Sequence, residues 1–259
     1  MIRLGRIAYV NMAPVFYRVD AHYEELAGVP TDLNAALLAG DCDLAPISSI
    51  EYARHADRLR LLPRLCVSSQ GAVESIQLVS KVPLERVRSV AVTPESATSV
   101  VLTRVLLPEA EHVPLDSPEA AADADAKLLI GDAALRSAFE DPTPHYDLGR
   151  LWLERTGLPM VFAVWACPEP PPDGLPELEH ALVASVRLAR AEPEQLAYEA
   201  SDRYGYPAGF LARYFEKLRY SFGPRERAGL LTFLELARDA GELDRVPELR
   251  FVHEEPVPA

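Results

Sequence analysis

Small polar residues stand at four points of the chain where a predicted strand gives way to a predicted helix. The four segments are Tyr9-Val10-Asn11, Pro46-Ile47-Ser48-Ser49, Thr93-Pro94-Glu95-Ser96-Ala97-Thr98-Ser99 and Ile130-Gly131-Asp132-Ala133. In open α/β sheets, ligands bind just beyond the carboxyl ends of the strands, where helix N-termini offer N–H groups and positive dipole ends to anions. A helix cap explains each segment equally well when it is taken alone. The four together predict a cleft that binds a small carboxylate.

The usual sequence motifs for a nucleophile, a nucleotide or a metal ion are absent. There is no G-x-S-x-G elbow, no P-loop, no G-x-G-x-x-G run and no H-E-x-x-H run. The six histidines are scattered without ligand-like spacing to one another or to a cysteine, so we predict no metal site. Cys42, Cys66 and Cys167 are odd in number and far apart, which indicates buried, reduced thiols.

The elements that must position the polar segments alternate between strand and helix. Apolar runs predict strands over 3–10, 42–47, 75–79, 89–92 and 127–130. One of the helices between them is predicted to carry Pro14 in its first turn, and another opens at 30–32 and stops at Gly40. This alternation is typical of an α/β fold in which helices cover parallel sheets.

The second half of the chain changes character after a long apolar segment. Residues 158–166 have the pattern of a fully buried strand. From there on the spacing is helical, in four segments with proline or glycine at their ends: 177–190, 193–204, 207–218 and 224–240. Residues 254–259 are predicted to form a tail.

Composition narrows the classes of protein. The 259 residues are 49% hydrophobic, with no apolar run long enough to span a membrane. Arg3 and Arg6 interrupt the N-terminal apolar residues, so we expect no signal peptide and a cytoplasmic protein. The formal net charge of −13 argues against nucleic acid and anionic membranes as partners. It does not argue against a small anionic substrate, because N–H groups in a cleft can outweigh the global field locally.

Several of these segments, taken in order, resemble the chorismate dehydratase family of menaquinone biosynthesis. The matching stretches are Gly5-Arg6-Ile7-Ala8-Tyr9-Val10-Asn11, Pro46-Ile47-Ser48-Ser49-Ile50-Glu51-Tyr52-Ala53, Val73-Glu74-Ser75-Ile76, Ser96-Ala97-Thr98-Ser99, Leu128-Leu129-Ile130-Gly131-Asp132-Ala133, Tyr146-Asp147-Leu148-Gly149 and Gly157-Leu158-Pro159-Met160-Val161-Phe162-Ala163-Val164-Trp165. Each stretch is weak evidence alone, but the ordered set from residue 5 to residue 165 is specific.

The resemblance implies a two-lobed periplasmic-binding-protein-like α/β fold of the second type, with a helical C-terminal region. We place lobe 1 at residues 1–85 and 166–259, lobe 2 at residues 86–165, and the ligand cleft between them. The resemblance also implies the reaction, which is loss of water from chorismate to give 3-[(1-carboxyvinyl)oxy]benzoate in the futalosine pathway. No cofactor is expected.

The same resemblance suggests roles for the small polar residues. Asn11 and Ser75 would orient the ring of the substrate or assist the leaving hydroxyl, and Asp132 would be a general acid or base or, alternatively, a helix cap. The predicted substrate-binding residues, which would hold the two carboxylates from opposite lobes, are Ser48, Ser49, Ser96, Thr98, Ser99 and Gly131.

Two other functions stay open at this point. The first is 1,4-dihydroxy-6-naphthoate synthase, a later enzyme of the same pathway that shares the fold and an Asp-Leu-Gly segment. The second is a non-catalytic cytoplasmic protein that binds a small carboxylate. Turnover of a ligand would separate an enzyme from a binding protein.

Overall fold

A computed structural model describes residues 1–253, apart from the side chains of Pro118 and Ala120. The predicted tail at 254–259 lies outside the described residues. The strands are β1 (Ile2–Ile7), β2 (Tyr23–Gly28), β3 (Ala45–Ser48), β4 (Leu59–Ser69), β5 (Ile76–Ser80), β6 (Ser89–Val92), β7 (Glu111–Pro114), β8 (Ala126–Ile130), β9 (His145–Asp147), β10 (Met160–Pro168) and β11 (Leu218–Ser221). The helices are α1 (Pro30–Ala39), α2 (Ser49–Arg54), α3 (Ala97–Leu106), α4 (Pro118–Asp123), α5 (Gly131–Glu140), α6 (Leu148–Thr156), α7 (Leu175–Ala191), α8 (Pro193–Tyr204), α9 (Ala208–Phe215) and α10 (Pro224–Asp239).

The strands form three sheets. Strands β1 and β2 pair in parallel, and a four-stranded sheet has the order β11-β4-β10-β3. The third sheet has five strands in the order β7-β6-β8-β5-β9. Strand β10 is buried over nearly its whole length, as expected for the central strand of a sheet covered on both faces.

The prediction of parallel sheets is confirmed only for the pairs β1–β2, β6–β7 and β6–β8. Strand β10 is antiparallel to both β3 and β4, and β5 is antiparallel to β8 and β9. The physical reason is that β5 follows β4 directly, without a helix between them, and joins a different sheet. An alternating strand–helix pattern does not reveal the direction of a strand that changes sheets.

A helix containing Pro14 was predicted after β1, and this prediction is also wrong. The chain makes a 3-10 turn over Val10–Met12 and then continues in turns. The turn is anchored by packing, because Val10, Met12 and Val15 are fully buried. Asn11 therefore lies on a short, fixed turn and not inside a helix.

The predicted boundaries between lobe 1 and lobe 2, at residues 85 and 165, stay a prediction, but the sheet in which each strand lies favours other boundaries. Strand β5 belongs to the five-stranded sheet and β10 belongs to the four-stranded sheet. Sheet membership therefore favours crossings of the chain between the two lobes at 70–75 and 157–159.

One apolar core runs through both halves and includes the fully buried Trp152 and Trp165. Within residues 1–253, no helix is both long and apolar enough to cross a bilayer.

Candidate functional site

A cavity of about 50 Å³ between the two larger sheets collects six of the nine predicted site residues. The predicted residues that line it are Asn11, Ser48, Ser75, Ser96, Ser99 and Gly131. The other lining residues are Ile7, Tyr9, Pro30, Val67, Val73, Ile76, Ile130, Phe162, Ala163 and Leu218. A mostly apolar wall with a few convergent polar groups is the usual form of a small-molecule site.

Asn11 brings an unused hydrogen-bond acceptor to this cavity. Its side-chain Oδ1 is buried and has no hydrogen-bond partner among the described residues. Its backbone carbonyl accepts a hydrogen bond from the hydroxyl of the buried Tyr220 on β11, which fixes the turn. Because a buried acceptor without a donor is costly, Asn11 is suited to receive a hydroxyl or N–H group of a ligand.

Ser48 is held at the end of β3 by a residue that the sequence analysis missed. The Nδ2 of Asn34 donates to Ser48 Oγ at 3.2 Å, and the Ser48 N–H donates to Asn34 Oδ1 at 2.9 Å. Asn34 is buried and lies on α1 beside the apolar residues Leu33 and Leu37. An asparagine at a buried helical position was the available signal for this role.

Ser96 and Ser99 form a linked pair at the start of α3. The Ser99 N–H donates to Ser96 Oγ at 3.3 Å, which makes Ser96 the N-cap of the helix. The Ser96 hydroxyl in turn donates to Ser99 Oγ at 2.9 Å. The hydroxyl proton of Ser99 is therefore directed elsewhere, and an anion in the cavity would be a suitable acceptor.

Three predicted residues do not line the cavity, and each of them makes a structural hydrogen bond. The Ser49 hydroxyl donates to the Val161 carbonyl at 2.8 Å. Thr98 Oγ1 accepts from the Ile50 N–H at 3.3 Å, and Asp132 Oδ1 accepts from the Val10 N–H at 3.1 Å. The bond of Thr98 joins α3 to α2, and the bond of Asp132 joins α5 to the 3-10 turn after β1; in each case the two elements follow strands of different sheets.

The surroundings of Asp132 bear on its two predicted roles. Helix α5 begins at Gly131, its N-cap is Ile130, and no side chain caps it, so the interpretation of Asp132 as a helix cap is wrong. Burial raises the pKa of the Asp132 carboxyl, while the Val10 N–H and the nearby Arg136 oppose this increase. The role of general acid or base stays a prediction, and the bond to Val10 favours a contribution to closing the two halves.

Tyr9 was part of a predicted segment but was not chosen as a site residue. It lines the cavity, and its hydroxyl donates to Glu95 Oε2 at 2.9 Å, across the cleft from β1. Burial and the neighbouring Glu95 carboxylate both raise the pKa of Tyr9. The phenol therefore stays protonated at neutral pH and acts as a hydrogen-bond donor.

The electrostatics of the cavity depend on dipoles and hydroxyl groups. None of the described residues that line it is lysine or arginine. Anions would be held by serine hydroxyls and by the N-terminal ends of α2 and α3. Within residues 1–253, no three His, Cys, Asp or Glu side chains are grouped so that they could hold a metal ion.

Solved structures with low sequence identity share this fold. Protein AF1704 from Archaeoglobus fulgidus superposes with a TM-score of 0.76 at 18% identity, covering 93% of this chain and 98% of that chain. A Candida albicans protein described as having the generic periplasmic binding protein fold gives a TM-score of 0.69 at 9% identity, covering 99% and 98%. The Escherichia coli periplasmic aliphatic sulphonate binding protein gives 0.64 at 14% identity, covering 100% and 95%. These likenesses confirm the predicted periplasmic-binding-protein-like fold.

Relatives found by sequence identify the family of this chain, whereas the solved structures show only its fold. A family model described as menaquinone biosynthesis matches residues 2–239. A chorismate dehydratase from Thermus thermophilus is 37% identical over 261 residues, covering 90% of this chain and 93% of that protein. A chorismate dehydratase from Campylobacter jejuni is 33% identical over 174 residues, covering 63% and 66%. The chain therefore belongs to the menaquinone biosynthesis family, with chorismate dehydratases among its relatives.

Proposed function

We propose that this chain is a chorismate dehydratase, which removes water from chorismate to give 3-[(1-carboxyvinyl)oxy]benzoate. The observation that carries the proposal is the 37% identity over 93% of the Thermus thermophilus chorismate dehydratase. The cavity supports it independently, because its polar groups suit a small dicarboxylate with a hydroxyl.

The chemistry of the substrate sets the demands on the protein. Chorismate has a carboxylate on its ring, a carboxylate on the enolpyruvyl ether at C3 and a hydroxyl at C4. Removal of the C3 proton gives an anion that is delocalised into the ring carboxylate. The C4 hydroxide then leaves and takes up a proton, so that one water is lost and a benzene ring forms. Because aromatisation drives the reaction, the protein needs mainly to hold a reactive pose and stabilise developing charge.

The residues of the cavity divide between these two tasks. Ser99 at the start of α3, oriented by its bonds with Ser96, would bind one carboxylate, and Ser48 at the start of α2 would bind the other from the opposite sheet. Thr98 would act through its bond to the Ile50 N–H, and Ser49 through its bond to Val161. In this proposal these two residues position the site and do not touch substrate.

Asn11 and Ser75 would act on the part of the substrate that reacts. Both line the cavity, and the unpaired Oδ1 of Asn11 would accept a hydrogen bond from the C4 hydroxyl. Ser75 would donate to the leaving oxygen or orient the ring. Asp132 does not line the cavity, so the enolpyruvyl carboxylate of the substrate is the better candidate for the base.

We further propose that two lobes close over the substrate in the cytoplasm. Hydrogen bonds from Tyr9 to Glu95 and from Val10 to Asp132 would form as the cleft closes and excludes water. Cys42, Cys66 and Cys167 are buried and unpaired, which fits a reducing compartment.

Incubation with chorismate tests this function. Purified protein is mixed with chorismate in the absence of added metal or cofactor. The products are separated by liquid chromatography, and their masses are measured by mass spectrometry. We expect a product one water lighter than chorismate, with a benzenoid absorption spectrum. Unchanged chorismate in the presence of folded protein would contradict the proposal. It would favour 1,4-dihydroxy-6-naphthoate synthase, tested with cyclic futalosine derivatives, or a carboxylate-binding protein, tested by thermal shift.

A further inference from the structure

Ser75 stands on an unusual piece of backbone. The preceding residue, Glu74, has φ of +59° and is the one non-glycine residue within 1–253 with positive φ. The Ser75 N–H donates to the Val73 carbonyl at 2.7 Å, which closes a tight turn immediately before β5. Non-glycine residues hold this conformation only where their surroundings impose it. Some contact must therefore hold residues 73–75, which we call the Ser75 turn.

The carboxylate of Asp147 binds the backbone of this turn, while the Glu74 side chain is paired with Lys217. Its Oδ2 accepts from the Val73 N–H at 3.0 Å, from the Glu74 N–H at 2.6 Å and from Gln77 Nε2 at 2.8 Å. Gln77 Nε2 also donates to the Glu74 carbonyl at 3.1 Å. Both backbone polar groups of Glu74 are thus bound, one by Asp147 directly and one through Gln77.

The other oxygen of Asp147 has a different task. Its Oδ1 accepts from the Arg150 N–H at 3.0 Å and caps helix α6, and it also lies 3.1 Å from the Val73 N. The same helix start is packed closely against the chain before the Ser75 turn. A Cβ on Gly149 would lie 2.4 Å from the Gly71 carbonyl oxygen. The Asp147-Leu148-Gly149 segment therefore joins the start of α6 to the chain that carries Ser75.

We infer that Asp147 is a positioning residue for Ser75: its Oδ2 holds Glu74 in the left-handed conformation and thereby aims Ser75 into the cavity. The inference rests on the proposed function, in which Ser75 touches the substrate. A carboxylate is needed because both oxygens must accept hydrogen bonds. An asparagine can place an oxygen on only one side and turns an N–H group toward another donor on the other side.

The test is a double-mutant cycle on chorismate turnover with Asp147→Asn, Ser75→Ala and the double variant. We expect Asp147→Asn to lower kcat about 100-fold with a small change in KM, because misplacement of a catalytic group by about 1 Å has an effect of this size. The double variant should be within about threefold of the slower single variant, because Asp147 acts only through Ser75. If Asp147 merely capped α6, the fall in kcat of the double variant would instead be the product of the falls in the two single variants.

Asp125→Asn is the matched control. Asp125 accepts the N–H groups of Arg88 and Ser89 through Oδ2, at 2.8 and 3.1 Å, away from the cavity. An asparagine there keeps an acceptor oxygen for both donors while removing the same charge, so kcat should stay within about twofold of wild type. If Asp147→Asn does not fold cooperatively, Gln77→Leu replaces it in the cycle, because Gln77 donates to the Glu74 carbonyl and to Asp147 Oδ2 but takes no part in the Asp147 Oδ1 hydrogen bond that caps α6.

The outcomes separate this inference from the proposed function. Multiplied losses, or a variant at Asp147 with kcat unchanged, would overturn the inference while wild-type turnover still supports the dehydratase. A wild-type protein that leaves chorismate unchanged would overturn both. Losses that do not multiply, together with an unaffected Asp125→Asn control, would support the inference.

Discussion

The aromatic ring of Tyr9 lies directly against the backbone of Gly131. A Cβ at position 131 would be 2.6 to 2.7 Å from three atoms of that ring, and Gly131 has φ of +55°. Tyr9 follows β1 and Gly131 begins α5, so the contact joins the two halves across the cavity that both residues line. The glycine is thus required by its own backbone and by the ring opposite.

Gly131→Ala tests whether this close fit belongs to the closed, active form. The added methyl group must push the Tyr9 ring away, so we expect kcat/KM to fall at least about tenfold, since assembly of the site by closure is disturbed. Gly157→Ala is the control, because Gly157 has φ of +70° and a methyl group added there would meet no atom within 4 Å. Both variants should lose about 1 kcal/mol of folding stability from backbone strain. Equal activity of the two variants would contradict a role for the fit.

Tyr9→Phe tests the hydrogen bond that crosses the cleft. It removes the donor to Glu95 Oε2 and keeps the ring that contacts Gly131. A net hydrogen bond is worth about 1 kcal/mol, so we expect KM to rise about fivefold with kcat nearly unchanged. Tyr17→Phe is the matched control, because the Tyr17 hydroxyl donates to Glu192 Oε2 at the same 2.9 Å away from the cavity. A similar increase of KM in the control would argue against closure as the cause.

Asn11→Ala and Ser75→Ala test the groups assigned to the reacting part of the substrate. Each should lower kcat about 100-fold, the order of effect seen when one preorganised polar group is removed. The melting temperature should change little, because the Asn11 Oδ1 has no partner in the described structure and the Ser75 hydroxyl donates a long hydrogen bond of 3.4 Å. Ser80→Ala is the control and should keep full activity, because Ser80 is also buried but lies at the far end of β5, the strand that follows Ser75. Near-normal turnover in both site variants would contradict the assignment of Asn11 and Ser75 to the reacting part of the substrate.

Asp132→Asn tests whether Asp132 is a general acid or base or instead helps to close the two halves through its bond to Val10. Asparagine keeps an oxygen for the Val10 N–H, so closure alone predicts a loss in kcat of less than about tenfold. A general acid or base would show a loss of about 100-fold to 10,000-fold.

The pH dependence of stability provides a second measurement on the same variant. Burial raises the pKa of Asp132 above its ordinary value of 3.8, so the folded state binds this proton more tightly than the unfolded state. The stabilisation is complete below about pH 3.8 and is lost as the pH rises through the folded pKa. We therefore expect the stability of Asp132→Asn, measured relative to wild type by chemical denaturation, to increase as the pH rises above about 4. A difference that does not change with pH would contradict the raised pKa.

Local patterns were sufficient for many elements of the fold. The predictions at 89–92 and 193–204 coincide with β6 and α8, because apolar periodicity and flanking proline determine both. The prediction of a helix over 207–218 extends too far, since β11 begins at Leu218. Strand β4 was missed because Arg60, Pro63 and Arg64 interrupt its apolar run. Its pairing with β10 and β11 is a long-range contact that no local pattern contains.

The site was predictable to a similar extent. Polar residues at the ends of strands were found because the topology of α/β folds gives that edge a function. Asn34, which holds Ser48, and Asp147, which holds the Ser75 turn, were not chosen as site residues. They act through contacts with residues 14 and 73 positions away along the chain. Spacing in the sequence does not encode such contacts.

The absence of lysine and arginine from the described lining of the cavity has a consequence for the rate of encounter. The whole chain carries a formal charge of −13, so a dianion approaching from solution meets net repulsion until it is within reach of the serine hydroxyls and helix ends. Electrostatic guidance therefore works against association, in contrast to enzymes that attract anions with a basic funnel. Added monovalent salt would screen the repulsion, and capture of the substrate would become faster as ionic strength increases.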